Sequence, residues 1–168
     1  LFRSRAGDLS TLEKDVADQV AGGATMLDVN MGAPLVDEVA LLAEAVTVIQ
    51  RLTDLPLCID SSILEALEAG LRAYKGKALV NSVTAEDDRM AMILPLVKAH
   101  QAAVIALPND DQEIPEEPQR RAELVDYIVD RATSKYGIPI EDVLIDPLAM
   151  PIGADSDRKS TRLNSSHS

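Results

Sequence analysis

Five short runs of Val, Ile, Leu and Ala punctuate the chain: MLDVN at 26–30, LCID at 57–60, ALVNS at 78–82, VIALP at 104–108 and VLIDP at 143–147. None alternates with polar residues before its last positions, which is the pattern of strands buried on both faces in a parallel sheet. Between the runs, apolar residues recur at helical spacing, as with Ile63, Leu64, Leu67 and Leu71, and again with Leu124, Val125, Ile128, Val129 and Ala132. Each such helix has one apolar stripe to lay on a sheet. Ser10 with Glu13 and Ser62 with Glu65 have capping-box spacing, and Gly22-Gly23, Gly76 and Gly137 stand where helix C-caps belong. Pro95 interrupts the pattern at 88–99 and predicts a kink or a split there. The predicted order is a helix at 10–22, then strand and helix four times, then a final strand.

Repeating strand-helix units leave two main architectures, the eight-fold barrel and the open doubly wound sheet. Four units fit between Asp28 and Asp146, about 30 residues each, and eight of them make a domain near the ~250 residues typical of a barrel. The polar ends point the same way. Asp28 and Asn30, Asp60, Asn81 and Asp146 close four of the runs, and Asn109 and Asp110 follow the other. In a doubly wound sheet only the strands at the switch point supply a site, whereas in a barrel all carboxyl ends converge on one mouth. The expected fold is α/β, an incomplete TIM (β/α)8 barrel holding about strands two to six of eight, with outer helices. The expected domain is 1–156. From 157 to 168 the chain reads DRKSTRLNSSHS, an aperiodic tail that resembles a translated sequencing adapter and is expected to be disordered and outside the fold.

Charge then narrows the partners. The 28 Asp and Glu exceed the 16 Lys and Arg, giving −12, and the aromatic residues are three Tyr and one Phe. That excludes the phosphate-neutralising charge and the stacking platforms of a nucleic-acid binder. Cys58 is the single cysteine, so no intrachain disulfide forms, and no apolar run approaches the roughly 20 residues of a membrane span. The reading is a cytoplasmic protein. The chain opens Leu1-Phe2-Arg3 without an initiator Met, and it is expected to be a fragment of a larger parent.

Convergent Asp and Asn groups in a mouth poor in other ionisable side chains suit a flat, nitrogen-rich ligand. A carboxylate accepts two parallel hydrogen bonds from an amidine-like edge and an amide both donates and accepts; a pterin has such an edge. Taken singly, Asp60 is equally a residue before a helix that Ser61 or Ser62 caps, and Asp146-Pro147 an ordinary turn pair. Competing chemistries lack their groups. Lys75 and Lys77 precede the third run, at the rim opposite a Schiff-base site. His100 ends a helix, and Cys58 sits inside a strand as a small core group, so neither builds a zinc or iron site. Magnesium held by Asp28, Asp60 and Asp146 with a substrate phosphate is a weaker alternative. The chain has no GxGxxG or P-loop motif. Asp110, Asp111 and Glu113 read as a solvated acidic face before a helix.

LDVNMG at 27–32, LPLCIDSS at 55–62, ALVNSVTAED at 78–87 and VLIDPLAMPIGA at 143–154 together resemble the methyltetrahydrofolate:corrinoid methyltransferases. These are pterin-binding barrels, a group that also includes dihydropteroate synthase and the folate domain of cobalamin-dependent methionine synthase. The resemblance implies that Asp60, Asn81 and Asp146 hydrogen-bond the pterin, with Asn30 a mouth residue beside it. It implies methyl transfer from N5 of 5-methyltetrahydrofolate to the cobalt of a corrinoid (cobalamin) carried on a partner protein, and it allows a homodimer for an intact parent. The family's first-strand GERIN-like motif and the Asn of its seventh strand, which contacts N5, have no counterpart here. The catalytic residue therefore stays unassigned, and the 168-residue chain is expected to be inactive and aggregation-prone by itself. Within the resemblance, a dihydropteroate synthase needs cations at the mouth, and no Lys or Arg ends a strand. A pterin-binding module without catalysis of its own is the other alternative.

Overall fold

The computed structural model describes residue 9 and residues 11–110 and 115–149. The elements are α1 (Leu12–Ala21), β1 (Leu27–Val29), α2 (Glu38–Leu52), β2 (Leu57–Asp60), α3 (Leu64–Ala73), β3 (Leu79–Thr84), α4 (Asp87–Ala99), β4 (Ala103–Leu107), α5 (Pro118–Asp130) and β5 (Val143–Ile145), in the order expected. A π turn at Arg131–Lys135 prolongs α5, and a short 3-10 turn at Ile140–Asp142 leads into β5.

The five strands form one parallel sheet whose spatial order is their chain order, β1-β2-β3-β4-β5. Every crossover therefore steps in one direction. With the right-handed connection that parallel strands require, that puts all the helices on one side and leaves the other face of the sheet for a site. A doubly wound sheet would reverse its order at a switch point.

Register assigns the two faces. Val29, Ile59, Val80, Val104 and Val143 lie opposite one another along one row, and the first four are fully buried. Ile59 faces the helices, because a Cβ added to Gly70 of α3 would come within 2.9 Å of its Cγ2. Residues one position away along each strand point to the inner face. There β1 and β4 alternate between buried and half-buried positions. The runs are continuous in composition, as read from the sequence, yet burial alternates because the inner face is partly open. Against the helix face, Leu42, Val46, Ile49, Leu67, Ile93, Leu94 and Ile128 complete the core.

Four local expectations need correction or fall outside the described residues. Ser10 falls outside; Thr11 holds the α1 N-cap without a side-chain bond to the backbone. Ser62 does not cap α3: the helix begins after Ile63, which holds the N-cap position without a side-chain bond, and the serine that takes a backbone N–H there is Ser61, accepting from Ile63 at 3.0 Å. Gly76 is not a C-cap: α3 ends at Ala73 with Tyr74 extended, and the Tyr74 ring packs against the Gly76 backbone. Pro95 does not split α4, which runs on to Ala99 with Ile93, Leu94 and Val97 buried on the sheet. Gly23 and Gly137 do take the left-handed conformation after their helices, at φ +86° and +65°. The tail at 157–168 lies outside the described residues.

Candidate functional site

The inner-face row that starts the site contains Asp60 of β2 beside Asn81 of β3, then Ile105 of β4 and Leu144 of β5. Asn30, just past β1, joins the row by donating from Nδ2 to Oδ2 of Asp60 at 2.9 Å, while its own Oδ1 accepts the Gly32 N–H at 3.0 Å. Asp146 follows β5 one row further toward the mouth, and its N–H donates to the Ala106 carbonyl at 3.1 Å. Two strand spacings separate it from Asn81, roughly 10 Å. Of the four residues singled out from the sequence, Asp60 ends β2 and Asn30 and Asp146 stand just past β1 and β5, whereas Asn81 is the third residue of β3, which runs on to Thr84 instead of ending where the polar residue implied.

Each polar group keeps unused capacity. Oδ1 of Asp60 and the side-chain amide of Asn81 have no hydrogen-bond partner among the described residues, and both residues are half-buried. Asp146 is exposed; one of its oxygens accepts the Leu148 N–H at 2.8 Å, so the turn reading of Asp146-Pro147 is correct as far as that oxygen goes. Ile105 and Leu107, half-buried, and Leu144, exposed, lie on the same face between Asn81 and Asp146. Polar edges around an apolar floor suit a flat heterocycle: the faces rest on aliphatic carbon and the edges meet carboxylate and amide. The sheet register slips between Asn81 and Val83, passing over Ser82, and the Asn81–Ser82 peptide is cis. Bulges of this kind are over-represented beside active sites.

One row deeper, Asp28 lies opposite Cys58. Its Oδ1 is buried without a hydrogen-bond partner, and it is alone in that among the side-chain atoms of the described residues. Burial, with the nearby Asp60 carboxylate adding, raises the Asp28 carboxyl above its ordinary value. Cys58 is itself buried, and burial together with Asp28 and Asp60 pushes its thiol up, so it stays protonated as a small core group. The sequence presents Asp28 as one of the polar strand ends and as a candidate magnesium ligand. Among the described residues no three His, Cys, Asp or Glu side chains gather as a metal cage, and Asp28, Asp60 and Asp146 form no such group.

The Asp28 arrangement predicts a pH effect on folding. An acid whose native value is raised binds its proton more tightly folded than unfolded. Stability therefore falls as pH rises from the ordinary carboxylate value, about 4, through the raised one. Without ligand, Asp28→Asn is expected to melt above the parent at pH 7.5, by on the order of 1 kcal/mol in stability. The gain should vanish near pH 4, and a gain equal at both pH values would contradict the assignment.

Cations reach the rim from helix starts, which strand ends alone do not reveal. Arg89 of α4 donates to the Ser62 carbonyl at 3.5 Å, and Arg121 of α5 donates from Nε to Pro115 O at 2.6 Å and from Nη1 to Pro147 O at 3.2 Å. Arg120 pairs with Asp110 at 3.0 Å; Asp111 and Glu113 lie outside the described residues. At the opposite rim, Lys77 pairs with Asp142, and Lys75 lines a cleft of about 450 Å³ with Arg51 and Tyr74. Both lysines are thus as far from the site as their place before β3 implied. No helix among the described residues is long and apolar enough to cross a membrane.

A family model described as pterin binding enzyme matches residues 2–164. The chain is 31% identical over 153 residues to the methionine synthase of Mycobacterium leprae (strain TN), covering 86% of this chain and 13% of that protein. It is also 31% identical over 140 residues to the methylcorrinoid:tetrahydrofolate methyltransferase of Eubacterium limosum, covering 82% and 51%. The chain thus spans about half the length, or less, of these curated relatives. Among solved structures it resembles the dihydropteroate synthase of Xanthomonas albilineans in complex with 7,8-dihydropteroate, with a TM-score of 0.64, 26% identity, and coverage of 95% of this chain and 62% of that one. The 7,8-dihydropteroate synthase of Vibrio fischeri ES114 gives 0.65 at 18% identity, with coverage of 92% and 65%, a likeness of fold alone. The five parallel units are consecutive units of a TIM (β/α)8 barrel of that type.

Proposed function

The chain belongs to the pterin-binding enzymes, and on that premise we propose that it is the pterin-reading part of a methyltransferase. In this reading the substrate is 5-methyltetrahydrofolate and the acceptor is the cobalt of a corrinoid held by a partner protein. Asp60, Asn81 and Asp146 take the polar edges of the pterin, with Asn30 beside them and Ile105, Leu107 and Leu144 beneath the ring. The observation that carries the proposal is the single inner-face row in which Asp60 and Asn81 stand side by side with free hydrogen-bonding capacity. The names of the two curated relatives support methyl transfer over other pterin chemistry.

The chemistry asks for position and polarity. N5 is a tertiary amine and a poor leaving group, so it must gain a proton or a strong hydrogen bond as its methyl departs. Fixed acceptors around the ring orient the N–CH3 bond toward the acceptor, and such pre-alignment is worth about 7 to 11 kcal/mol in well-oriented systems. Asp28, with a buried oxygen lacking a partner, is the side chain placed to hold a proton at the floor of the site.

A dihydropteroate synthase-like reaction is the second reading, favoured by the fold likeness and by Arg89 and Arg121 at the rim. Arg121 spends Nε and Nη1 on backbone carbonyls, while Arg89 makes one long bond to Ser62 and keeps its other donors. Calorimetric titration with 5-methyltetrahydrofolate tests the proposal. One-to-one binding is expected, and no binding would remove it. Release of dihydropteroate from a pterin pyrophosphate and 4-aminobenzoate would replace it with the second reading.

A further inference from the structure

Asp60 is held from two sides, and the second hold involves residues with no place in the site so far. Ser61 is buried, at 4% exposure, although its side chain is polar. Its Oγ accepts the Ile63 N–H at 3.0 Å and donates to Oε1 of Glu38, the first residue of α2. Glu38 is not needed as the helix cap, because Asp37 already accepts the Ala40 N–H at 3.2 Å. Its other oxygen lies on the side of Gly32 that a side chain would occupy: a Cβ added there would stand 3.2 Å from Oε2 and 3.3 Å from Oδ1 of Asn30. Gly32 donates to Asn30, and Asn30 donates to Asp60. Three hydrogen bonds and the approach of Glu38 to Gly32 close a ring: Asp60, Asn30, Gly32, Glu38, Ser61, and by the peptide bond back to Asp60. That ring ties the loop after β1 to the loop after β2 at the point where the ligand-reading carboxylate sits.

We propose that Glu38 and Ser61 are positioning residues that fix the Asp60 carboxylate for the ligand through this ring, an inference that rests on Asp60 reading the pterin. The Ser61 hydroxyl sets the backbone that carries Asp60, while Asn30 fixes its Oδ2. Neither Glu38 nor Ser61 touches the ligand. A charge-assisted bond from a buried hydroxyl to a carboxylate is among the stronger neutral-to-charged contacts, which suits a part that must not yield when the ligand binds.

The test is a set of titrations with 5-methyltetrahydrofolate, each variant checked by its thermal melt. Ser61→Ala and Glu38→Ala are each expected to weaken binding about 3- to 10-fold, the range for one lost hydrogen bond. Glu38→Gln, which keeps an oxygen for the Ser61 hydroxyl, should restore most of that loss. The discriminating measurement is Ser61→Ala placed on Asp60→Ala. If Ser61 acts through Asp60, its effect falls below twofold there, whereas a general loosening of the loop would weaken both backgrounds equally. Equal effects in both backgrounds, or unchanged affinity in both alanine variants of the wild-type background, would overturn the proposal; Glu38 is half-buried at a helix start, so its variants serve even if Ser61→Ala melts early. Unchanged affinity in Asp60→Ala alone would instead remove Asp60 from the site and the premise with it.

Discussion

Asp60→Ala is expected to weaken 5-methyltetrahydrofolate binding about 10- to 150-fold, from the ~1.5 to 3 kcal/mol that a hydrogen bond to a charged group contributes. Asp60 leaves one oxygen without a protein partner among the described residues. Its neighbour across the register, Asn81, offers an amide to the same space. Removing the carboxylate takes away acceptors for the ligand and strips Asn30 of its partner, so the loss should fall at the upper part of the range. Asp146→Ala should fall lower, since its carboxylate is exposed and one oxygen already accepts the Leu148 N–H. Calorimetry of the two variants against the parent decides it. If Asp60→Ala and Asp146→Ala both stay within twofold, the inner-face row is not where the ligand is read.

Leu42→Ala should cost about 2 to 5 kcal/mol of folding stability, the range for a fully buried leucine, out of a total of about 5 to 15. Leu42 is fully buried in α2. Opposite it, α3 presents Gly70, where an added Cβ would lie 3.2 Å from Leu42 Cγ and 2.9 Å from Ile59 Cγ2. Two helices and β2 therefore meet around one leucine, and the glycine that permits the approach has no side chain to refill the space. Urea denaturation followed by circular dichroism measures the change. A loss below 1 kcal/mol would show that α3 collapses into the gap.

Much of this architecture is legible in the chain because it depends on local composition. Apolar runs near 27, 57, 79, 103 and 143 fall on the five strands, and the stripes of Leu67 and Leu71 or Leu124 and Ile128 fall on buried helix faces. Asp60, Asn81 and Asp146 stand out because each is a polar residue ending an apolar run. Relations across sequence distance are not legible. The Asn30–Asp60 bond spans 30 residues and the Ser61–Glu38 bond 23. The isolation of Asp28 Oδ1 depends on what β2 places beside it. Arg121 reaches the carbonyl after β5 from a helix 26 residues earlier. The local errors share a cause as well. Ser62 has the right spacing for a cap, but the helix starts one residue later, with Ile63 at the N-cap, and it is the inward-facing Ser61 that accepts a backbone N–H.

Because neighbours in the sheet are also neighbours along the chain, each strand finds its partner in the segment made just before it. Loop closure then spans one helix at a time and keeps its entropic cost small. A ribosome extruding this polypeptide would deliver every strand to an edge already waiting for it, so the barrel wall can be laid down in the direction of translation.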